Sequence, residues 1–280
     1  MTAPEPRTLL TRGMLVGVAA AAAAFVFARI FGEGPIDAAI GFEAAHATPG
    51  HEAPEVVTRA IQSTLGLGVA ALVYGTAVGG IFGLAYAFSQ GRFGTLSART
   101  TAAVVAAIGF TAGFLVPFLK YPANPPATGS EATIGRRTVL YVLAIVISVA
   151  AALFAVLLAR ALAARLGGWN AILVGVAGFV ALVATVMLVL PPVDEVPADF
   201  PADVLWQFRL ASIGTQLVLW TTIGLVFGVW TERRARRASV TTSTAESTPG
   251  PPASRPGSSH TATDPVPDAA GGASHSTPPR

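Results

Sequence analysis

The hydrophobic positions of this chain fall into long blocks, separated by short polar or proline-rich stretches. Six apolar runs, at about 13–31, 64–88, 101–119, 139–162, 169–190 and 206–230, each approach or exceed the length needed to cross a membrane. A helix requires roughly 20 residues to cross a hydrocarbon core of about 30 Å. Backbone N–H and C=O groups in lipid must find partners within their own segment, so each block is predicted to be a helix. The pattern predicts an all-α, polytopic helical membrane protein with about six transmembrane helices over residues 1–237. Beyond the run RRARR, residues 238–280 are rich in Ser, Thr, Pro, Gly and Ala. Such a segment buries no core and is expected to be a disordered tail. The first block follows Arg7 and Arg12 but ends in ARIFG without a small-residue cleavage site, so it is read as a span and not as a signal peptide.

Composition sharpens this picture. Of 280 residues, 52% are hydrophobic and only 12% charged, about half the charged share of soluble domains. The net charge of +3 comes from eighteen basic residues, all arginine except Lys120. They flank the apolar blocks, as in membrane proteins, and do not gather into a nucleic-acid-binding patch. With no cysteine, thiolate metal sites, disulfides and cysteine nucleophiles are excluded. Lys120 lies in LVPFLKYP, outside any Gly-Lys-Ser/Thr phosphate loop, so ATP hydrolysis through that motif is excluded as well.

Charge also gives orientation. With six spans, Arg7, Arg12, Arg92, Arg99, Arg160, Arg165 and Arg233, Arg234, Arg236 and Arg237 share one side. This favours both termini in the cytoplasm, although Lys120, Arg136 and Arg137 fall opposite. Ten of the fifteen acidic residues lie on the other side: Glu33, Asp37, Glu43, Glu52, Glu55, Glu131, Asp194, Glu195, Asp199 and Asp203. Any one of them is ordinarily a solvated loop charge. As a one-sided set they raise the local cation concentration.

Four motifs carry candidate chemistry. The stretch EAAHATPGHEAPE (residues 43–55) is expected to be a loop holding Glu43, His46, His51, Glu52 and Glu55. Imidazole with carboxylate suits borderline divalent ions, so these five are the candidate metal ligands, against the plainer reading of two solvated histidines. Gly75, Gly79 and Gly83 recur every four residues and are expected to form one close-packing helix face. Two proline-rich connectors, 116–126 and 190–201, either form an ordered outer vestibule or simply end helices. Arg209, Ser212 and Gln216 lie on one face of the last block. With Lys120 and Asn124 of the first connector they are candidates for a transport path or for bundle packing. Glu195, Asp199 and Asp203 are candidate partners of Arg209, against the plainer reading that Arg209 snorkels to the surface.

FARIFGEGPIDAAIGFE, LVPFLKYPANPPATG followed by TIGRRT, and PADVLWQFRLASIGTQLVLW occur in this order. Together they resemble the predicted cobalt transporter subunit family, CbtA, over about residues 12–230. The resemblance implies a bacterial inner-membrane protein for cobalt uptake linked with cobalamin biosynthesis. It also implies a small single-span partner subunit with a histidine-rich end (CbtB-like). The family is described with five spans, whereas six blocks are counted here. The combined expectation is a multi-pass subunit that moves a divalent cation, cobalt(II) first. It has no tightly bound cofactor and no enzymatic activity. The rival is a non-conducting scaffold that positions a metal-capturing partner.

Overall fold

The computed structural model describes residues 5–46, 61–92, 96–126, 128–129 and 131–246. The described residues are helices and connectors, with no strand among them. Seven α-helices are numbered here: α1 (Pro6–Phe31), α2 (Glu33–His46), α3 (Leu67–Ser89), α4 (Ala98–Phe110), α5 (Val116–Lys120), α6 (Ile134–Val189) and α7 (Ala202–Glu246). A π-helical turn, Gln62–Gly66, leads into α3, and another, Thr111–Leu115, joins α4 to α5. Five helical segments are long and apolar enough to cross a membrane: Pro6–Phe31, Ser63–Ser89, Ala98–Lys120, Ile134–Val189 and Ala202–Arg237.

The five-helix and six-block counts meet in α6. At 56 residues, a straight helix would run about 84 Å, far beyond one bilayer crossing. Instead α6 breaks at Gly167, whose φ of 76° and ψ of 158° suit glycine and few other residues. Its two arms fold back on each other. A Cβ built on Gly175 would lie 2.8 Å from Ala155 O and 3.0 Å from Ala159 Cβ, contacts that a continuous helix cannot make. The 56-residue helix is therefore a hairpin of two apolar arms.

The arms pack around small residues. On α1, Gly13 and Gly17 face Gly75, Gly79 and Gly83 of α3, and all five are buried. The backbones are so close that a Cβ on Gly79 would fall 2.7 Å from Gly17 Cα. Beside this contact Leu9, Val16, Phe82, Tyr86, Ile223 and Phe227 form the largest part of the core. The Phe227 ring meets Phe82 edge-on at 5.1 Å and Tyr86 at 4.9 Å. At the arginine-rich end the largely buried Glu232 carboxylate lies 2.8 Å from Arg99 Nε and 2.6 Å from Arg236 Nη2. This ties the start of α4 to α7.

Proline explains the π turn in α4–α5. Val116 N–H bonds to Thr111 O, five residues back. The next donor toward Ala112 O would come from residue 116 or 117, but the Val116 N–H is used and Pro117 has none. The orphaned Ala112 carbonyl is satisfied by the buried Ser148 hydroxyl of α6, which also reaches Ile145 O at 3.0 Å. Ser148→Ala is expected to leave that carbonyl bare at membrane depth. It should destabilise the fold by about 1–3 kcal/mol, read as a lower thermal midpoint in detergent, whereas Ser148→Thr should retain most of the stability.

Two expectations are corrected. Glu43 and His46 do not lie in a loop: they stand on α2, of which His46 is the last residue. The alanines at 38, 39, 44 and 45 favour helix, and Pro35 sits in the first turn, where its missing N–H costs little. Helix α7 continues to Glu246, into the segment expected to be tail from residue 238. An established helix extends at one hydrogen bond per added residue. His51, Glu52 and Glu55, and residues 247–280, lie outside the described residues.

Candidate functional site

Lys120, Tyr121 and Arg209 bring together the end of α5, the second arm of α6, the start of α7 and the connectors between them. Both connectors are proline-rich. Their prolines stop helices and at the same time create acceptors. Pro191 cannot donate back to Met187 O, so that carbonyl is left open. Lys120 Nζ fills it at 2.7 Å. The Tyr121 hydroxyl donates to Pro191 O at 2.9 Å. Burial pushes the Tyr121 phenol above its ordinary range while nearby Arg136 offsets part of the effect, so the group remains a donor. Arg137 Nε lies 3.4 Å from Glu195 Oε2 and pins the second connector to the start of α6. The connectors thus both end helices and form an ordered cap.

Arg209 closes the cap from α7. Its Nη2 donates to Asn124 Oδ1 at 2.9 Å and its Nε to Ala123 O at 3.4 Å. The candidate carboxylate partners, Glu195, Asp199 and Asp203, are not what it binds. The first connector lies against α7 and offers two neutral acceptors to the guanidinium fork. Glu195 is taken by Arg137, and Asp199 faces His46.

Deeper in the same helix the polar residues behave differently. Ser212 and Thr215 return their hydroxyls to their own helix, at Phe208 O (2.9 Å) and Ala211 O (2.8 Å). Gln216 reaches across to Tyr74 OH on α3 at 3.4 Å, and its Oε1 is buried without a partner. Whichever way the amide is turned, one of its two groups is left unmet. It borders a cavity of about 240 Å³ lined by Ala21, Ala24, Ala28, Ala70 and Tyr74. Gly75, Gly79 and Gly83 lie at the α1–α3 contact and leave the connectors untouched.

His46 ends α2 against the second connector. Nε2 lies 3.3 Å from Asp199 Oδ2, and Nδ1 lies 2.8 Å from Phe42 O. The imidazole stacks on Phe42 at 4.1 Å, and Phe42 meets the buried Phe200 edge-on at 5.0 Å. Glu43 is not gathered with them: among the described residues no group of three or more His, Asp or Glu side chains is positioned to hold a metal ion. Sequence reasoning placed Asp199 in the one-sided acidic set and among the candidate partners of Arg209, but not with His46. It lies far from His46 in the chain.

The family model described as probable cobalt transporter subunit (CbtA) matches residues 6–232. The chain belongs to the CbtA family. The match runs from the start of α1 through the membrane-crossing part of α7 and includes both connectors. The description makes this a transporter-subunit family, and its apolar helices are those of a multi-pass membrane protein. No curated protein and no solved structure matches the chain.

Proposed function

We propose that this chain is the multi-pass subunit of a cobalt(II) uptake system in the bacterial cytoplasmic membrane, supplying cobalamin biosynthesis. It would work with a small single-span, histidine-rich CbtB-like subunit. The observation that supports the reading is the CbtA match over residues 6–232, which takes in every membrane-crossing helix. Intrinsic affinities favour other divalent metals over cobalt, so selectivity would come from the path and not from ligand strength alone. In this reading the acidic end faces outward and draws cations, while the Arg99–Glu232–Arg236 end faces the cytoplasm. Six crossings then put both termini inside. Reporters fused at Gly129 and at the C-terminus should label opposite sides, and labelling on the same side would reject that topology.

The direct test is radioactive cobalt uptake into proteoliposomes, with and without the partner. His46 and His51 are assigned to outer capture, with Glu43, Glu52 and Glu55 supplying further oxygens. Changing both histidines to alanine should raise the half-saturating cobalt concentration more than it lowers the maximal rate. Unchanged half-saturation would remove the histidines from capture.

Two observations favour the non-conducting scaffold as a second reading. The described residues hold no group of three metal ligands, and no histidine or carboxylate falls within the six apolar blocks. A scaffold would tolerate substitution of Arg209 and Gln216 and be sensitive on its exposed helix faces instead.

A further inference from the structure

We propose that His46 and Asp199 together form a weak divalent-cation site joining the end of α2 to the second proline-rich connector. This deepens the uptake reading and rests on it for the identity of the ion. The ring geometry carries the inference. Phe42 O is a backbone carbonyl and can only accept, so the nitrogen 2.8 Å from it, Nδ1, is the donor. In the neutral ring the lone pair then sits on Nε2, the atom facing Asp199 Oδ2 at 3.3 Å. Two acceptors at that distance call for a positive charge between them, either a proton on Nε2 or a metal ion. An imidazole that gives its second N–H to a backbone carbonyl and turns its free nitrogen outward has the arrangement of metal-ligating histidines.

The spacing suits a metal. Imidazole nitrogens and carboxylate oxygens bind zinc at about 2.1 Å. A cation at that distance from both His46 Nε2 and Asp199 Oδ2 would see them at about 105°, between the octahedral and tetrahedral angles. Both ligands are held from behind. The His46 ring is stacked on Phe42, and Phe42 packs on the buried Phe200 beside Asp199. Phe200 N–H closes a turn onto Pro197 O at 3.0 Å. Both side chains are more than half exposed, at 55% and 65%, so water completes the coordination and exchange is fast. Such a site suits an entry step, where the ion must be released onward.

The test uses the full-length chain purified in detergent and titrated with cobalt(II) chloride, followed by the visible absorption of the bound metal and by calorimetry. His46→Ala and Asp199→Asn should each weaken binding about tenfold or more. The double variant should be no more than about twofold worse than either, because both act on one ion. Gel filtration and thermal melting should match the parent protein. Asp199→Asn binding cobalt as tightly as the parent, or losses in the two single variants that simply multiply, would overturn the shared site and leave a plain ion pair. Coupled binding in a protein that moves no cobalt into proteoliposomes would sustain the site while rejecting the uptake reading, which keeps the two failures apart.

Discussion

Gly79→Leu is expected to separate α1 from α3 and to destabilise the membrane part of the chain strongly. A Cβ at this position already falls 2.7 Å from Gly17 Cα and closer still to Gly13 O. Both obstacles are backbone, so no side chain can turn away to make room. Overpacking a core costs about 1–3 kcal/mol where neighbours can adjust. Here the two helices must move apart, which would open the contact that aligns Leu9 and Val16 with Phe82 and Tyr86. The thermal midpoint in detergent should fall by on the order of 10 °C, with loss of the monodisperse peak on gel filtration. Gly135→Ala is the control: its Cβ meets nothing within 4 Å and should leave melting unchanged. A Gly79→Leu protein that melts with the parent would mean that the glycine face is not what holds α1 to α3.

Arg209→Ala should lower the maximal rate of cobalt uptake about tenfold while changing the half-saturating concentration less than twofold. The side chain holds the first connector over the end of α7 through Asn124 Oδ1 and Ala123 O. Hydrogen bonds to a charged group contribute about 1.5–3 kcal/mol, and 1.4 kcal/mol expressed in the rate-limiting step is tenfold. Lysine at 209 should not restore the rate, because one ammonium cannot reproduce a planar fork across two acceptors. Gln216→Ala, which removes the link to Tyr74, should have a smaller effect of the same kind. Uptake at the parent rate in Arg209→Ala would favour the scaffold reading over transport.

Local and non-local features were unequally legible. The glycine spacing in α3 announced a close contact but not its partner; Gly13 and Gly17 repeat that spacing on α1, yet nothing in the sequence pairs the two helices. The helix α2 was hidden because it is not an apolar block. Its histidine, carboxylates and proline resembled a connector, and the alanines that favour helix were a weaker signal. The partners of Arg209 were misread because acidic residues nearby in sequence are the obvious candidates. The folded chain instead brings Asn124 across from another connector, 85 residues away.

By itself, the sequence determined which segments form the long apolar helices and which prolines interrupt them. Those properties depend on satisfying each backbone group within its own segment and on charges that stay out of lipid. It also placed the prolines that remove helical donors, Pro117 and Pro191; the structure shows the carbonyls they leave open, Ala112 O and Met187 O. Only the tertiary structure decided which donors fill them, Ser148 and Lys120, and that His46 faces Asp199. Such pairings follow from how helix arms cross and connectors fold back. Those outcomes are set by packing over the whole bundle and leave no periodic trace along the chain.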